Sequence, residues 1–188
     1  YGFDHYEDNR GWGVHQPNIE NDLIKRVGDY APDWVIAIDA DEVFAPEFTR
    51  EEAEKLASLG EIAYNFLVIN LYNDENHYVA SGGIQMFWNV RFFKYIPDKL
   101  TYEKKNLHCG LAPVFSYQHA WHAPYYLLHY GLMKPADRKK KAERYQKYDP
   151  NKQCKGGSYY DELEQKLNPK PFDPEEWLEK LKKSPEGK

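Results

Sequence analysis

The segment Asp33–Phe44, DWVIAIDADEVF, constrains this chain more than any other. Five apolar residues, Trp34 to Ile38, run without a polar break into three carboxylates, Asp39, Asp41 and Glu42. A continuous apolar run, rather than an alternating one, reads as a buried strand of a parallel sheet covered on both faces. Side chains on a strand alternate, so Asp39 and Asp41 would point the same way at its end, about 6–7 Å apart. Two like charges so placed repel unless a cation lies near. The carboxyl ends of strands in open α/β sheets are where ligands bind. Hard oxygen ligands there suit Mg²⁺ or Mn²⁺, with phosphate oxygens completing the shell. The bland reading of a bare Asp-x-Asp is a solvated acidic turn, since short patterns recur by chance. The apolar run and the third acid, Glu42, favour the metal.

The surrounding pattern alternates helix and strand, which favours an α/β sandwich. Residues 1–16 are rich in Gly, Asp and Asn and read as loop. Ile19, Leu23, Ile24 and Val27 have helical spacing between Pro17 and Gly28. Thr49-Arg50-Glu51-Glu52 is a capping box that predicts a helix over 50–59, ended by Gly60. Residues 62–73 and 90–95 read as strands, and a Gly-Gly turn precedes Ile84. Periodicity is poor over 98–124, which predicts a long loop, and YYLLHYG (125–131) reads as a short strand. A basic helix is predicted over 134–148. A last helix starts from Asp173 and Pro174 with Trp177, Leu178 and Leu181 on one face. We expect residues 1–150 to form the body and 151–188 a charged helical tail.

Composition narrows the classes. The net charge of −5 argues against nucleic-acid binding over the whole surface. No run of about 18 apolar residues would span a membrane. Cys109 and Cys154 have no zinc-type spacing and read as free thiols, which predicts a cytoplasmic location. His119 and His122 lie three apart, but no cysteine pair supports zinc. The 134–155 stretch holds nine Lys/Arg against three acids, an asymmetry suited to a diphosphate, an anionic membrane surface or an acidic polymer. Lys134 and Arg138, one turn apart, are the phosphate candidates nearest His129. Aromatic residues make up 16% of the chain; most must serve the core, and a surplus of Tyr and Trp also suits sugar binding. In WNVRFF, Asn89 and Arg91 share one face and Trp88 and Val90 the other; one face should be core and the other could line an acceptor pocket.

DWVIAIDADEVF resembles the Asp-x-Asp segment of GT-A glycosyltransferases, especially the family 2-like group. WNVRFFKY is similar to that group's Arg-hydrophobic-Phe strand. LLHYGLMKPADRKKKAERYQKYDP is similar to its closing strand and Lys/Arg-rich helix. The resemblance covers about residues 17–150 and implies a GT-A-like mixed sheet flanked by helices, without the opening strand and base-gripping loop of that fold. It implies a metal-dependent, inverting glycosyltransferase that moves a sugar from a nucleotide-sugar donor to a glycan or other hydroxyl acceptor. Asp39, Asp41 and His129 would hold Mn²⁺ or Mg²⁺, and Lys134 and Arg138 would meet the donor phosphates. Glu42 or His108 would act as base; Glu103 is a further possibility. Relatives carry His-Glu where this chain has His108-Cys109, so the base does not transfer directly. Two other readings stand beside it: a metal-dependent phosphohydrolase or nucleotidyltransferase, and a non-catalytic glycan-binding or assembly module.

Overall fold

The structure, a computed structural model, describes residues 22–80, 82–102, 110–151, 161–163 and 167–183. It is a mixed α/β fold. Helix α1 covers residues 22–28 and buries Ile24. Strands β1 (Trp34–Ile36) and β2 (Glu42–Phe44) flank the acidic turn. Helix α2 (Arg50–Ser58) follows, with the Thr49 hydroxyl accepting from the Glu52 amide at 3.4 Å as the capping box predicts. Gly60 then takes φ 88, a left-handed conformation that ends the helix without Cβ strain. Strands β3 (Ala63–Tyr72), β4 (Asp74–Tyr78) and β5 (Phe87–Lys94) come next, then a short 3-10 turn over Pro97–Lys99. Helix α3 (Val114–Gln118), strand β6 (Ala120–His129), helix α4 (Pro135–Tyr148), strand β7 (Lys170–Pro171) and helix α5 (Pro174–Lys183) complete the described chain.

The long strand β3 organises the sheet. It pairs antiparallel with β5, which pairs antiparallel with β1. On its other side it pairs parallel with β6, which pairs antiparallel with β2. Its last residues turn through Asn73 (φ 71) into β4, and β4 carries β7. Strands β1, β3 and β6 therefore run the same way, and their carboxyl ends share one edge of the sheet. Residue 39 just beyond β1, Asn70 near the end of β3 and His129 at the end of β6 all lie toward that edge.

β3 is buried on both faces. Tyr64, Phe66 and Val68 pack with Leu56 of α2, Phe92, Tyr125 and Leu127. Ile69 and Leu71 pack with Tyr126, Phe172 and Leu181, which brings β7 and α5 onto the same core. The aromatic residues do much of this packing: Phe44, Phe48 and Phe66 meet with ring centroids 4.8–4.9 Å apart, in tilted and edge-on geometry that contributes about 0.5–1.5 kcal/mol per pair beyond area burial. Tyr72, Val79, Ile84, Leu132, Ala142 and Tyr145 form a further cluster that seats α4.

Three expectations are corrected. The WVIAI run is not a parallel strand covered on both faces. Its strand is three residues long and antiparallel to β5, and Ile36 and Ile38 are 48% and 44% exposed. The 98–124 region is not simply loop, because α3 and the first half of β6 fall within it. Pro124 made β6 look shorter than it is. A proline lacks the ladder donor, and here it sits where the β3–β6 register shifts between Asn65 and Leu67, a bulge that tolerates it.

Candidate functional site

The acids do not sit on a strand. Residues 37–41 form a turn between β1 and β2, closed by the Glu42 amide donating to the Asp39 carbonyl at 3.1 Å. The period-two argument for Asp39 and Asp41 therefore does not apply, and each acid has its own surroundings. Asp39 is half-buried. Burial first, then the charge of Glu42, raises its pKa above the ordinary carboxylate range. Asp41 is 47% exposed on its side chain and lies 3.4 Å from His129 Nε2. The hydrogen bond with His129 pulls the Asp41 pKa down to about 2.

Glu42 is the third acid and the most enclosed. Its side chain is 2% exposed and takes a bidentate pair from Arg91 of β5, Nη2 to Oε1 at 2.6 Å and Nε to Oε2 at 2.9 Å. Oε2 also accepts the Asp39 amide at 3.0 Å. Glu42, expected as a candidate base, has both carboxylate oxygens engaged within the protein and ties the acidic turn to β5. The same contact answers which way Arg91 points: into the protein, onto Glu42.

His129 is held from behind by a residue the sequence reading missed. Asn70 is buried and lies directly opposite His129 in the parallel β3–β6 ladder. The Asn70 amide nitrogen donates to the Ile84 and Gln85 carbonyls at 2.8 and 3.1 Å. Its carbonyl oxygen must then face His129 Nδ1, 2.5 Å away, so Nδ1 carries the hydrogen. That leaves Nε2 turned toward Asp41. An asparagine inside the apolar run LVINLY was the available signal, because a buried polar side chain needs partners.

The gap between His129 Nε2 and Asp41 Oδ2 takes either a proton or a metal ion. Two cis ligands at ~2.1 Å from an octahedral ion stand about 3 Å apart, close to the 3.4 Å seen. Among the described residues no three His, Cys, Asp or Glu side chains group tightly enough to hold an ion together. The donor set of Asp41 and His129 still fits Mg²⁺ or Mn²⁺, which keep several positions for water and phosphate oxygens. Asp39, near in charge but separate in direction of shift, would add field rather than a demonstrated bond.

Beside this pair lies a cavity of ≈ 520 Å³, lined by Asp41, Tyr130, Gly131, Lys134 at the N-cap of α4 and the α4 residues Asp137, Lys140, Lys141 and Arg144. These helix positions recur at helical spacing, so one face of α4 and its N-cap Lys134 contribute four cations and Asp137 to the cavity lining. Lys134 lines this cavity together with Asp41. Arg138 does not: it is 7% exposed, donates to the Leu132 and Met133 carbonyls at 2.7 and 3.0 Å and to Asn73 Oδ1 at 3.1 Å, and stacks on Tyr72 at 4.0 Å. It anchors α4 rather than meeting a ligand. Lys140, Lys141 and Arg144 were counted in the basic stretch but not singled out. His108 and Glu103 lie outside the described residues, as do Cys109 and Cys154.

No helix among the described residues is long and apolar enough to cross a membrane. No protein-family model, curated protein or solved structure matches this chain.

Proposed function

We propose that the chain is the metal-dependent part of a GT-A-like glycosyltransferase acting on a nucleotide-sugar donor. One observation carries the reading. Asp41, paired with a His129 that Asn70 orients, lines a cavity whose other lining includes Lys134, Lys140, Lys141 and Arg144. That arrangement suits an ion on one side and a diphosphate on the other. A divalent metal bound there would neutralise charge developing on a departing nucleoside diphosphate. Asp41 and His129 would hold it, and Lys134 and Lys140 would meet the phosphate oxygens from α4. Glu42 and Arg91 keep the acidic turn in register with β6. With Glu42 occupied, His108 is the remaining candidate of the two bases for the acceptor hydroxyl.

The test is binding before turnover. Thermal-shift and calorimetric titrations with uridine and guanosine diphosphates should show affinity that depends on Mn²⁺ and falls at least tenfold in Asp41→Asn and His129→Ala. Nucleotide affinity that ignores Mn²⁺ and both substitutions would sink the assignment. Release of free sugar, instead of transfer to an acceptor, would favour a hydrolase.

A further inference from the structure

A second cavity, of ≈ 590 Å³, opens at the opposite end of β6. His122 and His129 stand seven positions apart along that strand, roughly 23 Å at ~3.3 Å per residue. Its wall comes from α2, β5, β6 and α5: Glu52, Lys55, Trp88, Trp121, His122 and Lys182 are among the lining residues, with Glu61 and Tyr125. Trp88 and His122 stack across β3, ring centroids 3.9 Å apart and planes within 7°. Trp88 nonetheless stays 37% exposed. The Glu52 carboxylate accepts from the Tyr125 hydroxyl and from Lys55, and retains further lone pairs.

We propose that this groove is a binding site for a neutral saccharide chain, separate from the cationic cleft. The two glutamates and two lysines of the lining balance, so the groove offers no net charge to a phosphate. An apolar peptide would take these charged groups out of water and offer no hydrogen bonds in return, at a penalty. A sugar satisfies both surfaces: its C–H face packs on indole, while its hydroxyls donate to carboxylates and accept from ammonium groups. Burial keeps the His122 pKa below its ordinary value, so the ring stacked on Trp88 is neutral at neutral pH. The volume lies within the ~300–1,000 Å³ usual for ligand pockets. The site stands whether or not the other cleft binds a nucleotide.

Tryptophan fluorescence titrations with maltohexaose, cellohexaose and chitohexaose test it, with hexagalacturonate as the acidic counterpart. At least one neutral chain should give a saturable change, and the acidic one a weaker one. Trp88→Ala should weaken that association about tenfold, and Trp88→Phe should retain most of it. Mn²⁺-dependent diphosphate binding, read on the same preparations, should be unchanged by either substitution. If Trp88→Ala does not fold, the His122 ring resonances of the wild type must still move on adding the same sugar. A response to none of the three neutral chains, equal affinity in Trp88→Ala, or unmoved His122 resonances would each overturn the proposal.

Discussion

Replacing Arg91 with Met should be the most destabilising single change near the acidic turn. The guanidinium is 3% exposed and its partner carboxylate 2%, and two hydrogen bonds of 2.6 and 2.9 Å join them. Met fills much of the stem volume but leaves the Glu42 charge with only the Asp39 amide for company. Breaking a buried pair by removing one partner costs about 3–5 kcal/mol. Each kcal/mol shifts Tm by roughly 2–4 °C in a chain of this size, so the fall should be roughly 6–20 °C. The double variant Glu42→Gln with Arg91→Met removes the stranded charge and keeps an acceptor for the Asp39 amide. It should recover about 2 kcal/mol of the loss, a coupling that a double-mutant cycle in urea reads directly. An Arg91→Met loss under about 1 kcal/mol, or a double variant no more stable than the single, would refute the argument that this pair is desolvated and mutually dependent.

Gly131→Ala probes the Asp41–His129 pair while keeping both side chains: a Cβ there would lie 2.7 Å from His129 Nε2 and closer still to Asp41 Oδ2. Mn²⁺ affinity by calorimetry should drop about tenfold, as for a disturbed ligand shell, with little change in far-ultraviolet circular dichroism. Asp41, held to a pKa of about 2, contributes stability above the unfolded carboxylate value that is lost as pH falls from ~4 toward 2. Because its side chain is half-exposed, the effect is small, about 0.2–1 kcal/mol, and the gap between wild type and Asp41→Asn in acid denaturation should close over that interval. At the other extreme, burial pushes Tyr64 up to about 12, and its hydroxyl donates to the Leu56 carbonyl at 2.6 Å. Its stabilisation is present below the unfolded value of ~10 and is lost as pH rises through 12; an ultraviolet titration should show Tyr64 ionising with alkaline unfolding, and a Tyr64→Phe variant should lack that step. Arg138→Ala should lower stability by about 2–4 kcal/mol through its lost carbonyl partners, whereas Lys134→Ala should leave Tm nearly unchanged and weaken only diphosphate binding.

Local signals in the sequence carried some elements well. The capping box at Thr49, Gly60 after α2, and Asp173 before α5 each satisfy helix-end groups by short-range chemistry, so neighbours in sequence suffice to read them; the Asp173 carboxylate accepts from the Glu175 and Glu176 amides at 3.0 and 3.1 Å. What depends on distant partners was hidden. β4 is DENHY, polar and largely exposed, and is a strand because it follows the Asn73 turn and pairs with β3 and β7. The exposure of Ile36 and Ile38 depends on where β1 sits in the strand order, which hydrophobicity alone does not encode. The site divides the same way. Residue types alone single out Asp39, Asp41, His129 and Lys134 as candidates, while the contacts of Glu42, Arg91, Asn70 and Arg138 depend on ladder pairings and buried hydrogen bonds that span up to 65 residues.

The Arg138 anchor fixes the rotational phase of α4. An α-helix turns ~100° per residue, so a single residue inserted between Gly131 and Pro135 would leave Arg138 able to reach the Leu132 and Met133 carbonyls only by swinging the lysines a quarter-turn or more away from Asp41. The connection joining β6 to this helix is thus a timing element: its length, as much as the charge that follows it, decides whether the cationic wall faces the cleft.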